Sequence, residues 1–246
     1  MESTSNETTT ATVKIGSLTC RPLNPRFGAE IEGIDFSKPV TEQQIKDIIA
    51  AENRFGVTVY RNTCMTEELH IAFSRQLGEL EKVYQFNGRE VVHPEIYRAG
   101  NTDEDGNIIP ASSRHWWFTK GNALWHADSA YNHHRSKYSL LLAHIVPKEG
   151  GNTNYADTLY LASHASEIIG MEREEGLKLI RELIDHCTQP KYTISVKWQQ
   201  TGDMIFWDNR QVMHRATPFM DQMDVRDVRR TTVYDDGPEG YGIEVP

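Results

Sequence analysis

The run Ser139 to Val146 reads SLLLAHIV and stops at Pro147, with Gly150-Gly151 close behind. A short apolar run between turn residues is a strand signal, and a chain that carries several must build a sheet and cover it. Gly56-Val57-Thr58-Val59-Tyr60 is a second such run, β-branched and predicted to be buried. Further strands are predicted within Val13–Leu23, Phe27–Ile34, Tyr192–Trp198, Met204–Trp207 and Arg230–Tyr234. Helical spacing marks three other stretches. Thr41 caps a helix carrying Ile45, Ile48 and Ile49 to about Asn53, Thr66 opens one closing at Gly78, and a third spans Ser166 to His186. The pattern predicts a mainly β sandwich or barrel braced by flanking helices.

At 246 residues and 38% apolar, the chain can bury one sizeable core. No repeat or linker divides it. Residues 1–12, MESTSNETTTAT, are read as a disordered tail and 13–246 as a single domain. Thirty-five acidic against 26 basic residues give a net charge of −9, which speaks against a nucleic-acid partner. No stretch is apolar enough for a membrane span. Cys20, Cys64 and Cys187 stand far apart, and the N-terminus lacks the pattern of a signal peptide. Free thiols and a cytoplasmic location are the expectation; a homo-oligomer is left open.

Ten histidines invite a search for metal ligands, and one His-x-Asp match among them carries little weight alone. Leu124-Trp125-His126-Ala127-Asp128 has the better physics. On an extended strand, residues two apart share a face, so His126 and Asp128 would converge on one point. His214 could complete two histidines and a carboxylate, a set that leaves an iron ion open positions. The other reading is a surface His-Asp pair with an unrelated histidine. A rival, His93-Pro94-Glu95, contains a proline that belongs in a loop.

Beyond His214 comes Arg226-Asp227-Val228-Arg229-Arg230-Thr231-Thr232-Val233. On a strand, Arg226, Val228 and Arg230 share one face. Inward arginines would need an anion such as a dicarboxylate, whereas surface arginines would pair with Asp221, Asp224 and Asp227.

From about Leu23 onward the chain resembles the taurine/2,4-dichlorophenoxyacetate dioxygenase family of Fe(II)- and 2-oxoglutarate-dependent enzymes. The motifs, in order, are Phe27-Gly28-Ala29-Glu30-Ile31 with Gly33-Ile34-Asp35, Phe55-Gly56-Val57, His70-Ile71-Ala72-Phe73-Ser74, and Leu77-Gly78-Glu79-Leu80. They continue with Asn122 to Asp128, Gly150-Gly151-Asn152-Thr153, Trp207-Asp208-Asn209-Arg210, His214 and the closing arginines. The resemblance implies a double-stranded β-helix, the jelly-roll or cupin-like barrel, using Fe(II), 2-oxoglutarate and O2. It further implies that His126, Asp128 and His214 hold iron, and that Arg226 and Thr153 bind the far carboxylate of 2-oxoglutarate. Arg230 matches an arginine near the cosubstrate and the anionic end of the substrate. Asn122 and Trp207 match pocket-lining positions.

The run Arg-Asp-Val-Arg-Arg-Thr-Thr and the segment Leu159–Ser166 resemble the dichlorophenoxyacetate branch more than the taurine branch. His164 could then meet a substrate carboxylate or serve only as a structural or capping residue. The implied reaction oxidises a C–H bond of a small organic anion of aryloxy- or alkyl-carboxylate type, releasing succinate and CO2. The alternatives are a taurine-type alkylsulfonate or alkylsulfate dioxygenase and a non-catalytic metal-binding barrel. Two departures stand out. Asn152 replaces the family's aspartate, and the connection after Asp157 is short where the family carries a longer insertion with covering helices. A compact variant with a more open mouth, or loss of a segment, would each explain it.

Overall fold

A computed structural model of the chain describes residues 11–83, 92–103, 105–158, 161–238 and 240–241. The tail expected at residues 1–12 lies outside the described residues except for Ala11 and Thr12, which are exposed. Leu159 and Tyr160 lie outside them as well.

Eleven strands form two sheets among the described residues. In chain order they are β1 (Val13–Ile15), β2 (Leu18–Pro22), β3 (Ala29–Glu32), β4 (Val57–Tyr60), β5 (Tyr97–Arg98), β6 (Ser136–Ile145), β7 (Thr153–Asp157), β8 (Thr193–Val196), β9 (Met204–Asp208), β10 (Val212–Ala216) and β11 (Asp227–Tyr234). The large sheet runs β1-β2-β3-β4-β9-β6-β11-β5 and the small one β10-β7-β8. Every pairing is antiparallel except β3 with β4.

Strand alternation explains why Leu140 to Ala143 are apolar without a break. Leu141 and Ala143 of β6 point toward the small sheet, where they pack with Val57, Val59, Ile205, Trp207, Tyr155, Ile194 and Val212. Leu140 and Leu142 point the other way, into a second core with Met204, Phe206 and the helices α1 (Glu42–Phe55) and α2 (Glu67–Arg75). With two covered faces, a strand has no polar side to show. The architecture is a double-stranded β-helix, a jelly roll with helices on the outer face of its large sheet.

α1 starts as expected. Thr41 Oγ1 accepts from the Gln44 amide at 3.3 Å, and the Gln44 side chain returns the bond to the Thr41 N–H at 2.9 Å. It closes at Gly56, whose φ of +65° is the left-handed conformation glycine adopts freely. A short helix, α3 (Arg114–Thr119), was not expected. The last helix, α4, spans Arg173–Cys187 and not Ser166 to His186. Gly170 at φ +86° interrupts the chain ahead of it, and Ile168 and Ile169 belong to the connection. Ile184 and Cys187 of α4 pack on Ala156 and Met213, the outer face of the small sheet. Among the described residues, no helix is long and apolar enough to cross a membrane. Cys20, Cys64 and Cys187 are all free.

Candidate active site

His126 and His214 meet across a single antiparallel bridge. The His126 N–H donates to the His214 carbonyl at 3.0 Å and receives the reciprocal bond at 2.8 Å. Their ring centroids are 4.2 Å apart. The Leu124 carbonyl accepts from His126 Nδ1 at 2.7 Å, which fixes the tautomer and leaves Nε2 to face inward. His126 Nε2 and His214 Nε2 lie 3.9 and 3.7 Å from Asp128 Oδ1. All three donor atoms fall within 4.8 Å of one another.

The route to this convergence differs from the expected strand alternation. Only His126 pairs, and Asp128 already begins a turn. Ser129 follows at φ +53°, a conformation costly for a residue with a Cβ. Glu81 holds it there by accepting from Ser129 Oγ at 2.7 Å and from Asn132 Nδ2 at 3.0 Å. The pairing of His214 in β10 with the His126 segment therefore assembles the cluster. The rival His93 and Glu95 go elsewhere: His93 lies near Glu67 and Glu68, and Glu95 pairs with Arg75 at 2.6 Å.

Burial opposes charge on Asp128, yet Arg230 foremost, then His214, His126 and the Ser139 hydroxyl, hold its carboxyl below the usual range. Burial and the neighbouring His126 push His214 down to about 3, so its imidazole is neutral, the form that binds a metal. Two imidazoles and one carboxylate oxygen on one side of a buried pocket suit Fe(II) with open coordination positions.

The same pocket is lined by Asn122, Thr153, Trp207, Arg226 and Arg230. Arg226 is buried, and burial drives it down to about 10. It donates from Nε to the Gly151 carbonyl at 2.9 Å, from Nη1 to Ala99 O at 2.8 Å and from Nη2 to Thr153 Oγ1 at 3.4 Å. Among the described residues, no carboxylate pairs with it. Asp221 is taken by Lys120 and Trp116, and Asp227 by Arg229. A buried guanidinium held only by neutral acceptors is a standing site for an anion.

Arg230 contacts Asp128 Oδ1 and lies over the Tyr97 ring at 4.8 Å. Trp207 is fully buried and packs 4.7 Å from the His214 ring. His164 is the one expected residue not gathered in: it is exposed and stands edge-on to Tyr131 at 5.7 Å. Tyr97, Ser139 and the role of Asn209 were missed. Asn209 was legible only as part of the Trp-Asp-Asn-Arg motif.

The family model described as taurine catabolism dioxygenase TauD, TfdA family matches residues 19–167 and 158–232. An α-ketoglutarate-dependent 2,4-dichlorophenoxyacetate dioxygenase of Cupriavidus pinatubonensis is 26% identical, the match covering 89% of this chain and 99% of that protein. An (S)-phenoxypropionate/α-ketoglutarate dioxygenase of Sphingobium herbicidovorans is 24% identical over 80% of this chain and 88% of its own. Among solved structures, AAD-2 in complex with Mn(II) and N-oxalylglycine superposes with a TM-score of 0.81 at 28% identity, covering 90% of this chain and 98% of that one. The two family-model segments meet at residues 158–167, and the Cupriavidus match runs over 286 positions although this chain has only 246 residues. Residues 158–167, where the two segments overlap, lie in the connection between β7 and α4.

Proposed function

Because the chain belongs to the TauD/TfdA family and is an Fe(II)- and 2-oxoglutarate-dependent dioxygenase, we propose that His126, Asp128 and His214 hold its iron and that Arg226 and Thr153 hold its cosubstrate. The observation that carries this reading is the shared pocket, in which three converging donor atoms and an anion-seeking guanidinium line one space. Fe(II) with 2-oxoglutarate and O2 supplies the oxidising power, converting the cosubstrate to succinate and CO2 as a substrate C–H bond is oxidised.

The protein's part is placement. Arg226 and the Thr153 hydroxyl grip the distal carboxylate of 2-oxoglutarate, and the Gly151 and Ala99 carbonyls fix the guanidinium that does so. Trp207 backs the His214 ring, so the imidazole cannot swing away from its neighbours. Leu141 and Ala216 give the pocket an apolar wall that excludes water from the reacting centre. Arg230, which lies over Tyr97 and pairs with Asp128, is also the cation nearest the triad for the anionic end of the substrate, while Asn122 lines the pocket and His164 stands against Tyr131.

The substrate we propose is a small organic anion of aryloxy- or alkyl-carboxylate type, in keeping with the named activities of the relatives. Residues 13–246 are read as one catalytic domain. A cytoplasmic site of action fits the three free cysteines and is tested by cell fractionation.

The decisive experiment is anaerobic addition of Fe(II) and then 2-oxoglutarate, read as the visible charge-transfer absorption of the bound pair. A band in the wild-type protein that is lost in His126→Ala is the expected result, and a folded protein with no band overturns the assignment. Succinate release across a panel of aryloxyacetates, alkyl-carboxylates, alkylsulfonates and alkylsulfates then identifies the substrate class.

A further inference from the structure

Asp128 presents four polar atoms: its backbone N–H and C=O and two carboxylate oxygens. Three are fixed by one buried network. The Asp128 N–H donates to Asn209 Oδ1 at 3.2 Å, the Ser136 hydroxyl donates to Asp128 O at 3.0 Å, and the Ser139 hydroxyl donates to Asp128 Oδ2 at 2.8 Å. Asn209 also organises both serines, because its Nδ2 donates to Ser136 Oγ at 3.2 Å and to Ser139 Oγ at 2.9 Å. Its Oδ1 accepts in addition from Trp207 Nε1 at 2.9 Å.

The four hydrogen bonds of this amide are all made, and Asn209, Ser136 and Ser139 are wholly buried. Amide orientation is thereby forced: turning it over would set its NH2 against the Trp207 and Asp128 N–H groups. With the amide fixed, each serine must accept from Asn209 and spend its own proton on Asp128. The Ser136 proton goes to the Asp128 carbonyl and the Ser139 proton to Oδ2. Oδ1 is the atom the network leaves out: it faces His126 Nε2 and His214 Nε2, with Arg230 Nη1 against it as its other neighbour.

We propose that Asn209, acting through Ser139, is the positioning residue that makes Asp128 a one-oxygen ligand. Holding Oδ2 away from the metal would keep the carboxylate from taking a second position, which would stay open to cosubstrate or O2. Asn209 couples this restraint to Trp207, the residue packed against the His214 ring, so one amide steadies the surroundings of two of the three ligands. The inference rests on reading His126, Asp128 and His214 as the metal ligands.

Two variants test it, with Mn(II) alone as the probe and electron paramagnetic resonance of free Mn(II) as the readout. Ser139→Ala removes the donor to Oδ2 with the least change of shape. Asn209→Asp keeps the acceptor for Trp207 but deletes both donors to the serines. Each is expected to weaken Mn(II) binding by about tenfold or more, and the double variant to be little worse than either one. Co(II)-loaded Ser139→Ala should also show an altered visible absorption at saturation, a signature that loss of packing alone does not produce.

Wild-type affinity and an unchanged Co(II) spectrum in a folded Ser139→Ala protein overturn the proposal, whatever happens to Asn209→Asp. Fully additive losses in the double variant overturn the route from Asn209 through Ser139. Failure of the wild-type protein itself to bind Mn(II) overturns the ligand assignment and this inference with it.

Discussion

Arg226 donates its Nε–H to the carbonyl of Gly151 at 2.9 Å, and Gly151 has no room for a side chain. Its φ is +63°, and a Cβ built there would lie 3.2 Å from Arg226 Cδ and 2.7 Å from Pro147 Cγ. Glycine at this position is therefore part of how the guanidinium is seated.

Gly151→Ala is expected to displace Arg226 and raise the 2-oxoglutarate requirement by about tenfold, equal to ~1.4 kcal/mol. Titration of the cosubstrate at fixed substrate measures it. A wild-type requirement would show that the guanidinium does not depend on this contact.

Asp128→Ala and His126→Ala each remove one of three converging donors. Succinate production should fall by at least about a hundredfold in either variant. Turnover retained by one of them removes that residue from the triad. Arg226→Ala should instead spare Mn(II) binding while weakening the cosubstrate, which separates the two halves of the pocket.

His70 is fully buried among α2 and the large sheet, and burial, with the charge of His144, pushes it down from 6.5 to about 3. It is neutral in the folded chain, its Nε2 3.1 Å from Thr231 Oγ1. The unfolded chain takes up this proton first, so the stability tied to it is complete above pH 6.5 and is lost as pH falls toward about 3. Between those limits the loss is about 1.4 kcal/mol per pH unit. His70→Gln should show a shallower dependence, measured by urea unfolding at pH 6, 5 and 4. Parallel slopes would rule the histidine out as the source.

Glu52 has the opposite sign. It is fully buried, and burial raises its carboxyl well above 4.5 despite a 2.6 Å bond from the Thr58 hydroxyl. The folded chain keeps this proton longer than the unfolded one, so its contribution is complete below pH 4.5 and is lost as pH rises through the folded value. Glu52→Gln retains an acceptor for Thr58 and stays neutral. Its unfolding midpoint should exceed that of the wild type at pH 8 and match it at pH 4, as differential scanning calorimetry would register.

Much of the fold was legible because it is written in local pattern. Thr41 with Gln44 marks a helix start, and SLLLAHIV marks a strand between two covered faces. β7 and β10 escaped notice because Thr153-Asn154-Tyr155-Ala156-Asp157 and Val212-Met213-His214-Arg215-Ala216 mix polar and apolar residues on strands whose two faces meet different partners. The start of α4 was misplaced because Ile168 and Ile169 sit at helical spacing, while Gly170 turns the chain out of the helix.

The site divides in the same way. The ligands and arginines were legible as an ordered set of motifs. The strand drawn through His126 and Asp128 was not what folds, since a bridge to a residue 88 positions away sets that geometry. The network around Asn209 joins positions 128, 136, 139, 207 and 209, and no spacing rule links them.

The short connection between β7 and α4 has a bearing on how such a barrel can change. Its two ends are anchored on the outside of the small sheet, where α4 packs on Ala156 and Met213, while Thr153 and His214 of the same strands face the pocket. Between those ends the connection touches the ligand-bearing segment, the Ser163 N–H donating to the carbonyl of Trp125, the neighbour of His126, at 2.8 Å. Chain inserted between Thr158 and Glu172 would enter beside the segment that carries His126, which makes this junction a natural place to graft segments that retune which molecules enter.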